Sequence, residues 1–207
     1  MNTIRLSEEG SITEAVQTLE QGGIIVYPTD TIYGIGADPL NEEAIKKVFS
    51  TKARDGGRAL SVIASDRVQA ESYGIFTKDA QKLADTFWPG ALTLVVFARD
   101  KELSQKIHAG DTVGIRVPDN TWCREVVERF GRPIVSTSAN PGGKATEHTI
   151  EAIKNSLDAN ASYVDLWIDG GEINNDVPST VVWCADEKTE ILREGAISRD
   201  EIEKVLQ

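Results

Sequence analysis

The sequence predicts an α/β protein built on a mixed sheet, and three observations carry that prediction. Amphipathic segments with helix caps alternate with short apolar runs of strand character along the chain. The alternation is irregular, so parallel and antiparallel neighbours are both expected. No stretch reads as a linker, an internal repeat or a low-complexity segment, so a single domain over residues 1–207 is expected.

Taken in order, Ser11-Ile-Thr-Glu14 fits a capping box, with Ala15, Val16 and Leu19 following at helical spacing. Gly22 and Gly23 stop that helix, and Ile24–Tyr27 reads as a buried strand. Asn41 caps a second helix whose Ala44, Ile45, Val48 and Phe49 share one face. Leu60–Ala64 and Leu92–Phe97 are strands, with a helix over Thr77–Phe87 between them. Val113–Val117 is a further strand, Asp119–Phe130 a helix, and Pro133–Val135 a short strand entering a polar turn. A helix over Thr149–Leu157 and strands over Tyr163–Ile168, Thr180–Cys184 and Ile191–Arg193 follow. Ser198 and Glu201 form a second capping box, opening a last helix through Leu206.

Composition narrows the function. The N-terminus has no apolar run after its charges and the longest apolar stretch, Ala91–Ala98, is too short to span a bilayer. A cytoplasmic protein with no membrane partner is expected. Cys123 and Cys184 are too few for a disulfide framework and read as small buried hydrophobes. His108 and His148 stand at no metal-ligand spacing with a cysteine, so no zinc site is expected. Two histidines also make a Ser-His-Asp or Cys-His hydrolase hard to assemble, with His108 left open for such a role. The net charge of −11, from 33 acidic and 22 basic side chains, argues against an extended grip on RNA phosphates. It leaves room for a local basic pocket that takes a small anion.

Four polar segments follow apolar strands or helix ends, where α/β proteins place ligands. In Tyr27-Pro-Thr-Asp-Thr-Ile-Tyr-Gly34, two threonines and a carboxylate follow a buried strand, and Gly34 and Gly36 would let the backbone approach a ligand. A polar turn explains the same residues. Lys52-Ala-Arg54-Asp-Gly-Gly-Arg58 groups three cations around two glycines, either as a phosphate clamp or as a solvated helix end. In Thr112-Val-Gly-Ile-Arg116-Val-Pro118, a charged residue interrupts an apolar strand; we read Arg116 as buried and paired, against an edge strand facing solvent. Ser136-Thr-Ser138-Ala-Asn140, ahead of Gly142 and Gly143, offers either a nest of donors for phosphate oxygens or a plain turn.

Taken together and in this order, these segments resemble the YrdC-like family of threonylcarbamoyl-adenylate synthases. The resemblance rests on Tyr27–Gly34, on Lys52 with Arg54, and on Ser138 with Asn140. It extends to Pro89-Gly-Ala-Leu-Thr93, Gly114–Pro118, Pro178-Ser-Thr180 and Leu192-Arg-Glu-Gly195, and so covers about residues 10–198. It implies a twisted mixed sheet with helices around a deep cationic cavity. It also implies the reaction, in which threonine, bicarbonate and ATP give threonylcarbamoyl-AMP and pyrophosphate for modification of adenosine 37 of tRNA. Lys52 and Arg54 would be catalytic. Arg54, Arg58, Thr112, Ser136, Ser138, Asn140, Thr146 and Arg193 would bind ATP, and Thr31, Arg116 and Thr180 would hold L-threonine. Mg²⁺ would arrive with ATP, without a dedicated protein cage. The expected partners are transferase proteins that consume the product, with tRNA contacted weakly or indirectly.

The run after Lys52 departs from the family's usual K-x-R-P-x-x-K-P-L. Asp55 and Ala59 replace prolines, Arg58 replaces lysine, and Gly56-Gly57 adds backbone freedom. With Gln207 as the last residue of this sequence, the extra C-terminal domain of longer relatives is not expected. Two other readings fit the same resemblance: a non-catalytic RNA-binding or ribosome-maturation factor, and the carbamoyl-transfer domain of hydrogenase-maturation proteins. The second is disfavoured by the absence of zinc motifs.

Overall fold

The computed structural model describes residues 2–53, 59–107 and 109–207, and of Ser104 only the backbone. Arg54, Arg58 and His108 therefore lie outside the described residues. Eleven strands form a single mixed sheet. In chain order they are β1 (Asn2–Arg5), β2 (Ile25–Tyr27), β3 (Gly34–Ala37), β4 (Ser61–Ile63), β5 (Gly74–Ile75), β6 (Leu92–Ala98), β7 (Thr112–Arg116), β8 (Ile134–Ser138), β9 (Leu166–Asp169), β10 (Thr180–Trp183) and β11 (Glu190–Arg193). The spatial order is β1-β9-β2-β3-β8-β4-β7-β6-β10-β11, with β5 added beside β6. The β1–β9, β9–β2, β4–β7 and β6–β10 pairs are parallel and the rest antiparallel. The expected mixed α/β class is what folds.

The helices are α1 (Ser11–Glu20), α2 (Glu42–Thr51), α3 (Arg67–Tyr73), α4 (Lys78–Phe87), α5 (Lys101–Lys106), α6 (Thr121–Phe130), α7 (Ile150–Leu157) and α8 (Arg199–Leu206), with a 3-10 turn at Asp158–Tyr163. Capping side chains start most of them. Asn41, Asp66, Thr77, Asn120 and Thr149 each accept from a backbone N–H of the first turn. The capping box at Ser198 and Glu201 forms as expected. The one expected at Ser11 does not: Gly10, in the left-handed region at φ 92°, caps α1. The Ser11 hydroxyl donates to Leu6 O at 2.9 Å and accepts from Trp122 Nε1 at 3.1 Å, tying α1 to α6.

Strand β8 is a second correction. The polar run after Val135, expected to be a turn, continues the strand through Ser138, because β3 and β4 pair with it on both sides. Strand β3 itself, reading Gly-Ile-Gly-Ala, was not expected. Neither were β1, β5, α3 and α5. The run expected as a strand from Tyr163 is the end of the 3-10 turn, and β9 starts only at Leu166.

The sheet separates two apolar clusters. The larger includes Val26, Ile35, Val62, Leu94, Val113 and Ile115 beneath α2, α4 and α7. The smaller lies on the other face, where Ile25, Tyr27, Ile63 and Ile134 meet Ala15, Leu19, Trp122 and Val126 of α1 and α6. Along β7 the side chains alternate by the period of two. Val113 and Ile115 enter the larger core, while Thr112, Gly114 and Arg116 face the opposite way. On that second face the middle of the sheet carries Gly34, Ser61, Gly114 and Ser136, residues too small to fill the space above it. A cavity results.

Candidate functional site

That cavity encloses about 690 Å³. Its floor is the small-residue stretch of sheet, and its walls come from segments far apart in sequence. Thr31 stands on one wall, Arg116 at the end of β7, Ser136 and Ser138 on β8, Asn140 and Thr146 beyond β8, and Arg193 on β11. Seven of the residues expected in the site from sequence thus share one chamber. Among the described residues, hydroxyls dominate the lining, and Arg116, Lys144 and Arg193 are its cations.

Arg116 is buried and paired, as the strand pattern suggested. Its Nε donates to Gly90 O at 2.9 Å, one Nη to the Thr31 hydroxyl at 3.0 Å, and the other to Asp30 at 2.6 Å. A guanidinium has five N–H donors, and these contacts use three. The remaining two are available to an anion in the cavity, with orientation already fixed. Thr31 is held in turn by Thr29, whose hydroxyl lies 3.0 Å from its own, accepts from the Thr31 and Ile32 amides, and donates to Ile32 O.

On the opposite wall Arg193 donates to Ser179 O at 2.8 Å, and the Ser179 hydroxyl lies 2.9 Å from that of Thr93. Burial and the nearby charge of Arg116 both lower the Arg193 pKa below the ordinary guanidinium value. Thr93 and Ser179, together with Ser61, Thr137 and Lys144, are cavity residues the sequence reading did not assign. The first two do fall inside the motifs Pro89–Thr93 and Pro178–Thr180, and Thr137 inside the donor run Ser136–Asn140.

Three expected residues stand elsewhere. Thr112 lines a smaller adjoining pocket of about 290 Å³ that shares Ser61, Thr93, Thr137 and Arg193 with the main one. Thr180 is fully buried outside the lining. Its hydroxyl donates to Ile197 O and accepts from the amides of Gly195 and Ile197, at 2.9 and 3.0 Å. It is a clip on the chain after β11. Lys52 is also outside the lining, 2% exposed, behind the loop that follows β8. Its ammonium donates to Ser138 O, to Asn140 O at 2.8 Å and to Asn140 Oδ1 at 3.1 Å, while its own carbonyl accepts from the Gly142 amide at 2.7 Å. The geometry makes Lys52 a support for Ser138 and Asn140.

Gly36 serves a purpose the sequence did not suggest. A Cβ on Gly36 would lie 2.8 Å from Tyr27 Cε1, and one on Gly34 would lie 3.5 Å from Tyr27 Cζ. Gly36 therefore makes room for the Tyr27 ring to cross β3, whereas a Cβ at position 34 would make ordinary contact. Gly34 also lines the cavity; Gly36 does not.

The described lining offers little of the carboxylate cage that a protein-held Mg²⁺ would need. Asp176 is the sole carboxylate among the described lining residues, and no cluster of three metal-binding side chains occurs among the described residues.

Comparison with known proteins places this geometry in context. The sequence profile of the family described as "Telomere recombination", comprising the Sua5, YciO and YrdC proteins, matches residues 17–195. A Bacillus subtilis protein named threonylcarbamoyl-AMP synthase is 35% identical over 202 residues, covering 97% of this chain and 58% of its own. A Pseudoalteromonas translucida protein of the same name is 32% identical over 179 residues, covering 85% of this chain and 94% of its own. The crystal structure of Pyrococcus abyssi Sua5 complexed with L-threonine superposes with a TM-score of 0.89 at 31% identity, covering 99% of this chain and 60% of that one. The chain thus spans under two thirds of the longer relatives it matches.

Proposed function

The chain belongs to the Sua5, YciO and YrdC family, and on that premise we propose that it is an L-threonylcarbamoyladenylate synthase. The observation that carries this reading is the meeting, in one cavity, of an oriented Arg116–Thr31 pair with the hydroxyl and amide groups at the end of β8. One end suits an amino-acid carboxylate, the other the phosphate oxygens of a nucleotide.

In this reading the threonine amine combines with bicarbonate to give a carbamate and water. A carbamate oxygen then attacks the α-phosphorus of ATP, the bond to the bridging oxygen breaks, and pyrophosphate leaves. Adenylyl transfer of this kind needs alignment and charge neutralisation more than covalent help. Arg116 receives the threonine carboxylate through its two remaining N–H donors. Ser136, Ser138, Asn140 and Thr146 donate to nucleotide oxygens, Thr112 lies at the adjoining pocket, and Arg193 neutralises charge from the β11 side. Lys52 contributes by holding Ser138 and Asn140 in place. Arg54 and Arg58, outside the described residues, are assigned to the triphosphate from sequence alone. Mg²⁺ accompanies ATP and offsets phosphate charge.

The product would pass to transferase proteins that modify adenosine 37 of tRNA, with tRNA itself bound weakly or indirectly. A cytoplasmic setting accords with that task. No helix among the described residues is long and apolar enough to cross a membrane.

The test is pyrophosphate release from ATP and bicarbonate, with and without L-threonine. We expect release that requires threonine, and an Arg116→Lys variant whose KM for threonine rises at least about tenfold, since one ammonium replaces a fixed planar fork. Release that ignores threonine, or none from folded protein, would overturn the assignment.

A further inference from the structure

The Tyr27 hydroxyl lies 2.9 Å from the Ser136 Oγ, across an intervening strand. Three features immobilise the ring that carries it. The ring lies close against Gly36 of β3, Trp122 packs on it at a tilt with centroids 6.0 Å apart and 33° between the planes, and the residue is fully buried. Of the two hydroxyls only that of Ser136 reaches the cavity.

We propose that Tyr27 is a positioning residue that fixes Ser136 as a hydrogen-bond donor into the cavity. The argument is one of proton bookkeeping. A buried O–H without an acceptor is costly, and the Ser136 oxygen is the only hydrogen-bond partner the Tyr27 hydroxyl has among the described residues. The Tyr27 proton therefore points at Ser136, and burial keeps that proton in place by raising the phenol pKa. With its oxygen accepting from Tyr27, the Ser136 hydroxyl turns its own proton toward the chamber. Nothing else described competes for it. The cavity thus presents a directed donor at that point, which favours an acceptor such as a phosphate or carbonyl oxygen and disfavours a ligand ammonium. Strand β3 needs glycine at position 36 for this contact to form, so Gly36 and the tyrosine of the first polar segment act as one device.

This inference rests on the nucleotide-binding reading, and the test separates the two. Four proteins are compared: wild type, Tyr27→Phe, Ser136→Ala and the double variant. ATP affinity is measured by calorimetry, threonine-dependent pyrophosphate release by a coupled assay, and thermal unfolding in parallel. Tyr27→Phe is expected to weaken ATP binding or turnover about three- to tenfold, the scale of one hydrogen bond. The double variant is expected to be no worse than Ser136→Ala, because Tyr27 acts through Ser136. Losses that multiply, or a Tyr27→Phe protein that lowers only the unfolding temperature, would overturn the proposal. If wild type shows no threonine-dependent release, the synthase reading fails and the same four proteins are judged by their affinity for inorganic pyrophosphate. Wild type that binds neither ATP nor pyrophosphate would overturn both.

Discussion

Lys52 shows how far a residue's neighbours decide its role. A buried ammonium is stable only when its charge is answered, and here at least two carbonyls and an amide oxygen answer it. Replacing it by methionine keeps most of the stem volume, leaves Asn140 O without its donor and leaves Ser138 O only the Asn140 amide. We expect Lys52→Met to lower stability by about 2–4 kcal/mol in urea unfolding and to cut pyrophosphate release more than about tenfold. Thr180→Val, nearly isosteric, strands the Gly195 and Ile197 amides and should destabilise by about 1–3 kcal/mol. Sequence reading brought out the chemical type of these residues but not their direction. Lys52 and its acceptors are 86 and 88 positions apart, and no local periodicity links them. Arg116 was legible because a charge within an apolar strand demands a partner, whereas Thr180 resembled any hydroxyl beside a ligand site.

The longer helices were legible, since capping residues and apolar faces are written within ten residues of one another, whereas the short α3 and α5 were not. Strand β3 and the Ser136–Ser138 part of β8 were not legible either. Gly34-Ile-Gly36 and Ser136-Thr-Ser138 have the composition of turns, and only pairing with β2 and β4 on the flanks makes them strands. The same small residues that disguise these strands create the hollow above them. Adding a methyl group at Gly36 would bring it within 2.8 Å of the Tyr27 ring. We expect Gly36→Ala to lose about 1–3 kcal/mol by overpacking, measurable as a lowered urea midpoint at unchanged slope. Gly10→Ala tests a different element. A residue with φ of 92° resists any side chain, and its loss should destabilise α1 by roughly 1 kcal/mol.

Across the whole molecule, three buried acids set a limit at alkaline pH. Burial raises Tyr27 and Cys123 well above the ordinary 10.0 of a phenol and 9.0 of a thiol, and it pushes Cys184 up to about 12. The folded chain keeps these protons where the unfolded chain releases them. Their contribution is therefore complete below pH 9 and declines as pH rises from there toward the folded values. Each group steepens the loss by up to about 1.4 kcal/mol per pH unit. Urea unfolding at intervals from pH 8 to about pH 11 should show this decline, with a shallower slope in Cys184→Ala. The mixed class was legible from the interleaving of elements, but the strand order was not, because it depends on which edges meet in space. That order bears on how the protein is made. Strand β3 waits for β8, and β2 for β9, so a ribosome must add about a hundred residues after β3 before its second edge is covered, roughly 5–20 seconds of synthesis. During that interval the nascent chain exposes an unpaired strand edge, and the protein's synthesis, more than its mature state, is where a chaperone would matter.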